Sequence, residues 1–313
     1  MTLSKTIMGA VVLLLVVIMA ACAAPTPTPT PTPVPPTATP IPPTVAPPAS
    51  NPAAQGDLAQ ALAKAQEATV YRMNLNVTGK GNFAAAGGPT PEAGKENESM
   101  TLISMLGEVN GKDAHFVIQG LLTAFLGLDP TRPLEVISVN DVAYVKGPIP
   151  LIGATEEKWY KTPPEAAQIA EPPLSPSQFL NSFGESGINP ADFKLSGSET
   201  LDGVQCEVYA GDKAAVVNAF TRLGGATGAT QEDLDSIDNA EFKFWVCSDG
   251  YLHQIRMMIE GHDKNAPDQK GSFEILMKLS DFNGDVKITA PADAEELKLP
   301  TPAPEEPSAT PTP

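Results

Sequence analysis

Tyr71-Arg72-Met73-Asn74-Leu75-Asn76-Val77-Thr78 alternates apolar and polar residues without a break. Tyr71, Met73, Leu75 and Val77 fall on one side of an extended chain, and Arg72, Asn74, Asn76 and Thr78 on the other. A period of two over eight residues specifies a β-strand with one apolar face. Upstream, Leu58–Ala68 is Ala-rich with Leu58, Leu62 and Ala65 on one helical face, and Asp57 is its candidate N-cap. Downstream, extended runs come in pairs around turn dipeptides. Ser99–Val109 and Lys112–Gln119 flank Asn110-Gly111, Leu134–Val139 and Val142–Lys146 flank Asn140-Asp141, and Lys194–Leu201 and Val204–Tyr209 flank Asp202-Gly203. Such dipeptides accept the positive φ that tight hairpins require.

Three long strands follow at Phe242–Val246, Tyr251–Glu260 and Ser272–Ser280, the first two joined through Ser248-Asp249-Gly250, with a short last strand at Val286–Thr289. Helices are expected at Ser175–Phe183 and at Lys213–Leu223, the latter capped by Asp212 and striped by Val216, Val217, Phe220 and Leu223. Strands in hairpin order with few helices predict an α+β fold built on a single curved antiparallel sheet.

Two more strand faces match that of Tyr71, Met73, Leu75 and Val77: Ile255/Met257/Ile259 and Phe273/Ile275/Met277/Leu279. Each carries methionine, a flexible side chain that repacks around variable apolar partners. These faces fit an ordinary dry core or the wall of an apolar cavity, and their sequence does not separate the two. Two connections are apolar where loops are normally polar: Leu121–Leu128 and Pro148–Gly153, the latter including Leu151 and Ile152. They either fold over the end of the sheet or form a rim that meets a ligand, a partner or a bilayer.

The ends of the chain are of another kind. One lysine, an apolar run over Ile7–Ala20 and the small residues Ala20-Ala21 before Cys22 have the layout of an export signal over 1–21. A cysteine in that place resembles the lipobox of bacterial lipoproteins, with Met19 where leucine is more usual. The resemblance implies cleavage before Cys22 and its acylation, which holds the protein to a membrane at the extracytoplasmic side. The competing reading, an uncleaved membrane span, needs roughly twenty apolar residues and this run is shorter. Residues 22–55 continue as a Pro/Thr-rich stalk in extended polyproline form, and 300–313 is a similar tail. The folded domain is expected over 56–299.

A net charge of −17 disfavours nucleic acid as a partner. With Cys22 used by lipid, Cys206 and Cys247 remain as an even pair in an exported chain, and both sit in strand-like runs. A disulfide between them is expected, with two buried thiols as the alternative. His115, His253 and His262 lie in different elements without metal-ligand spacing, and no Gly-x-Ser-x-Gly elbow or phosphate loop occurs. The adjacent pairs Glu156-Glu157 and Glu295-Glu296 read as solvated carboxylates. No cofactor, metal or catalytic residue is expected, and the chain is read as a non-enzyme.

Several phrases recur in an order that is similar to one family: Val142-Ala143-Tyr144-Val145-Lys146, Lys158-Trp159-Tyr160, Leu201-Asp202-Gly203-Val204, Phe244-Trp245-Val246, and Ser280-Asp281-Phe282-Asn283 with Val286-Lys287-Ile288-Thr289-Ala290-Pro291. Together they resemble the LppX/LprAFG envelope lipoproteins, related in fold to LolA and LolB, over about Gly56–Glu296. The resemblance implies a half-barrel whose helices cover its concave face. It also implies a cavity between them for lipids or acylated molecules, and a role in moving these through the cell envelope. The cavity would be lined by Tyr71, Met73, Leu75, Val77, Ile255, Met257, Ile259, Phe273, Ile275 and Met277, with Val217, Phe220, Leu151 and Ile152 as lid or rim. The protein is expected to be a monomer. The cysteine pair and the Gly/Ala-rich stretches Phe83–Gly88 and Gly224–Thr230 depart from the family pattern. The alternative function is a cell-surface interaction or sensor module with a filled core.

Overall fold

A computed structural model describes residues 52–81, 98–163, 188–218, 234–263 and 266–298. They form one sheet of twelve strands: β1 (Val70–Lys80), β2 (Met100–Asn110), β3 (Asp113–Gln119), β4 (Leu134–Val139), β5 (Val142–Lys146), β6 (Trp159–Lys161), β7 (Lys194–Leu201), β8 (Val204–Gly211), β9 (Ile237–Cys247), β10 (Leu252–Asp263), β11 (Ala266–Ser280) and β12 (Glu295–Glu296). The order across the sheet is β12-β6-β5-β4-β3-β2-β1-β11-β10-β9-β8-β7. Sequence neighbours pair as hairpins on each side, and β1 meets β11 in the middle. The sheet is open and curved, with β12 and β7 as its edges.

The turns explain the register. Asn140 and Asp141 have φ of 54° and 59°, and Asp202 and Gly203 have 49° and 88°, the double positive φ of the turn whose twist matches a hairpin. At the first hairpin the expectation is off by one residue. Asn110 pairs with Asp113, so Gly111 and Lys112 form the loop, and Gly111 alone takes positive φ at 63°.

Helix α1 (Pro52–Glu67) buries Leu58, Ala61, Leu62 and Ala65, the i, i+3, i+4, i+7 stripe of one face. It begins earlier than expected, so Asp57 is an internal residue and not the cap, and the helix takes in the last residues assigned to the stalk. Proline is favoured in a first helical turn, where its missing N–H has no partner to lose. Helix α1 packs on β9, β10, β7 and the short 3-10 turn Pro190–Asp192. A second helix begins at 213, where Asp212 Oδ1 accepts from the N–H groups of Ala214 and Ala215 at 3.0 and 3.2 Å, the expected cap. The helix expected at Ser175–Phe183 lies outside the described residues.

Two further expectations are corrected at the C-terminal end. Val286–Thr289 forms no strand: Val286 is buried and its carbonyl accepts from the Asn110 side chain at 2.9 Å. Instead, Glu295-Glu296 adds to β6, and this pair is parallel where the rest of the sheet is antiparallel. The carboxylates are not simply solvated, because Lys158 reaches Glu295 at 2.7 Å and Lys161 reaches Glu296 at 2.8 Å.

Candidate functional site

The registers bring apolar side chains from distant parts of the chain into rows across one face. Tyr209 stands opposite Phe244, Phe244 opposite Ile255, Ile255 opposite Met277, Met277 opposite Leu75, Leu75 opposite Met105, Met105 opposite Ile118, and Ile118 opposite Leu134. All of these are buried. At about 4.8 Å per strand this row spans roughly 34 Å. A parallel row runs from Phe242 through Met257 and Ile275 to Val77 and Ile103. A third runs from Leu279 through Met73, Gly107, Phe116, Val136 and Val145 to Tyr160.

The three faces read from the sequence are therefore one face. Tyr71, Met73, Leu75, Val77, Ile255, Met257, Ile259, Ile275 and Met277 all belong to one buried cluster, and Phe273, half-buried, packs against it. The rows also hold residues that sequence reasoning passed over, among them Met105, Phe116, Phe242 and Phe244. Their signal was present as alternation in β2, β3 and β9, but only the pairing shows that it continues the same surface.

Under α1 the face is aromatic. Phe193 meets Phe242 and Phe244 edge-on, with ring centroids 5.6 and 4.9 Å apart, and Phe242 lies 4.6 Å from Phe244. Beyond the helix the face is mainly aliphatic and methionine-rich, with Tyr71, Phe116 and Tyr160 among it. Polar groups on it are few. Burial pushes the Tyr71 phenol up to about 12. Tyr209 donates its hydroxyl to Glu207 Oε2 at 2.6 Å, and burial together with that bond raises its pKa.

The loop residues behave differently from a bilayer-facing rim. Ile149, Ile152 and Ala154 are buried in the same cluster, because the 3-10 turn Pro150–Ile152 folds back through Ile149 N–H to the Ala154 carbonyl at 2.6 Å. Ile152 is thus a wall residue of the core and not a surface patch. Leu121 and Leu128 are half-buried against the same cluster. On the helix begun at Asp212, Val216 is buried and Val217 half-buried against the core. Phe220 and Cys22 lie outside the described residues, as does the side chain of Leu151.

Cys206 and Cys247 form a disulfide across directly opposed positions of β8 and β9. They lie on the outer face in a small separate cluster with Val208 and Trp245, whose indole N–H donates to Glu199 at 2.8 Å. The three histidines remain apart. His253 Nε2 lies 2.9 Å from Asp249, His262 Nδ1 lies 2.9 Å from Asp238, and His115 Nε2 lies 3.8 Å from Glu135. No metal-ligating group of three or more residues occurs among the described residues. No helix among them is long and apolar enough to cross a membrane. A depression of about 510 Å³ opens on the outer face, and of the expected cavity residues only Met73 lines it.

No family model matches the sequence, and no curated protein is significantly similar to it. Among solved structures, the Mycobacterium tuberculosis lipoprotein LppX is 16% identical with a TM-score of 0.37, over 77% of this chain and 100% of its own. LprF from Mycobacterium bovis is 14% identical with a TM-score of 0.41, over 78% of this chain and 99% of its own. A LolA superfamily protein from Nitrosomonas europaea is 10% identical with a TM-score of 0.22, over 76% of this chain and 94% of its own. These include the kind of lipoprotein that the sequence motifs resemble. Likeness at this level carries no argument about ligand, and the fold description rests on the strand order itself.

Proposed function

We propose that this chain is an exported, lipid-anchored protein that binds lipids or acylated molecules on its apolar sheet face and passes them through the cell envelope. The observation that carries the reading is the width of that face. Eight consecutive strands contribute to one apolar row of roughly 34 Å, whereas a helix with its side chains is about 10–12 Å across. Helix α1 packs mainly over β9 and β10, whereas the methionine-rich stretch across β11, β1 and β2 lies away from its main contacts, with Leu75, Met105 and Met277 themselves fully buried. Acyl chains are suited to that stretch, since their burial contributes about 25 cal/mol per Å² with no directional demand. Methionine on both sides of the central pairing accommodates chains of different shape. Binding needs no covalent step, and the protein acts as a carrier without catalysis. Cys22 supplies the anchor and the Pro/Thr-rich stretch ahead of helix α1 the reach.

Native mass spectrometry of the full chain after incubation with vesicles of bacterial lipid tests this. The expected result is a noncovalent lipid adduct released on unfolding. A single unliganded mass would support the interaction module with a filled core. Anchoring is tested separately: Cys22→Ser should move the protein from the membrane to the soluble fraction.

A further inference from the structure

The outer face of the sheet is not uniformly polar. The β7–β8 hairpin brings Leu201 and Asp202 over it and roofs the depression of about 510 Å³, a volume in the range of small-molecule sites. Beneath the roof, cross-strand pairing sets Gln254, Lys278, Asn74, Leu106 and Val117 in one line, one residue per strand from β10 to β3. The line begins with an amide and an ammonium and ends with two aliphatic side chains, about 14 Å from Lys278 to Val117. Leu106, 52% exposed, is the large apolar residue most open to solvent among the described residues.

The charges around the line are unequal in their availability. Arg72 is held by Glu108 and Asp281, each at 2.8 Å, so its guanidinium is fully engaged and the trio keeps one negative charge in excess. His253 is held by Asp249, and His115 faces Glu135. Lys278 is exposed and has no carboxylate partner among the described residues. Against the acidity of the chain, Lys278 is the cation of the depression that no described carboxylate engages, and it stands beside an apolar strip. Two carboxylates line the depression, Glu108, which is engaged by Arg72, and Asp202 in the hairpin turn, which has no cation partner among the described residues.

We propose that this groove binds a small anionic amphiphile, a medium-chain carboxylate. Its head meets Lys278, flanked by the Gln254 and Asn74 amides, and its chain lies along Leu106 and Val117 beneath Leu201. The site is on the opposite side of the sheet from the lipid-binding face proposed above and stands independently of it.

The test is a titration of the full chain with octanoate, followed by NMR of labelled Leu and Val methyl groups. Leu106 and Val117 report this groove, and Leu75 and Val77 report the opposite face. Saturable shifts are expected at Leu106 and Val117. Lys278→Gln should weaken binding by about tenfold, the scale of a charge-assisted hydrogen bond. Asp202→Asn, which keeps a residue tolerant of positive φ, should strengthen it. Leu106→Thr, read at Val117, should weaken it without altering the fold, and raised salt should weaken it as well. Octanol binding as tightly as octanoate, an unchanged affinity in Lys278→Gln, or shifts confined to Leu75 and Val77 would each overturn the proposal.

Discussion

Gly107 offers a close test of how the apolar rows pack. It sits on the inner side of β2 between Met73 and Phe116, and a Cβ there would lie 2.6 Å from Phe116 Cε1 and 2.7 Å from Met73 Cγ. Carbon atoms rest at about 3.5–4.0 Å, so both neighbours must retreat by roughly 1 Å. Phe116 is 1% exposed and has no solvent side to retreat into. Overpacking of this kind costs about 1–3 kcal/mol. Against it, alanine restricts the unfolded chain and recovers about 0.4–1 kcal/mol. The steric term wins, and Gly107→Ala should lose about 1–2 kcal/mol net, which at about 2–4 °C per kcal/mol for a domain of this size lowers Tm by roughly 2–8 °C. Phe116→Leu shortens the blocking ring, so in the double variant the penalties should be less than additive by about 1 kcal/mol. Thermal unfolding by circular dichroism of the four proteins gives the cycle. A Gly107→Ala protein as stable as its parent, or strictly additive penalties, would refute the packing of this row.

Four other outcomes are expected. Replacing Cys206 and Cys247 together by serine opens a link across a sequence separation of 41 and should cost about 2–4 kcal/mol in denaturant unfolding. Trp245→Phe removes the indole hydrogen bond to Glu199 and should cost about 1 kcal/mol, because the carboxylate it leaves is exposed and rehydrates. Tyr71 has a folded pKa of about 12 against an unfolded value near 10, so the folded state holds its proton more tightly. Its contribution is complete below about pH 10 and is lost as pH rises toward 12, lowering stability by about 2–3 kcal/mol, a share that Tyr71→Phe should remove from alkaline melts while that of Tyr209, also raised, remains. Charging the Pro150–Ile152 turn with Ile152→Glu should lower Tm, since that side chain is part of the core.

The sheet was largely legible in the sequence, since each strand advertises its own face. β1 and β11 alternate cleanly, and Asn140-Asp141 and Asp202-Gly203 state their turns outright. Alternation names the buried face but not the partner, which is why the rows from Tyr209 to Leu134 emerged only with the register. It also misled at Val286–Thr289, where a side-chain hydrogen bond from Asn110 takes the place of a ladder. β12 had no local signal: two glutamates are poor strand formers, and at this edge they stand opposite Tyr160 and Lys161, with Lys161 and the adjacent Lys158 reaching their carboxylates. The outer groove was invisible for a related reason. Leu106 breaks the pattern of β2 by following buried Met105, but its roof, Leu201, lies far along the chain.

The claim that the wide apolar face receives acyl chains is tested most directly by NMR of methionine methyl groups in the presence of a spin-labelled fatty acyl lipid. Met73, Met105, Met257 and Met277 face the core side, while Met258, which points outward near Arg256, serves as an internal control. The account predicts saturable broadening of Met73, Met105 and Met277 with Met258 unaffected. Uniformly sharp signals from all core-side methionines at saturating lipid would contradict it.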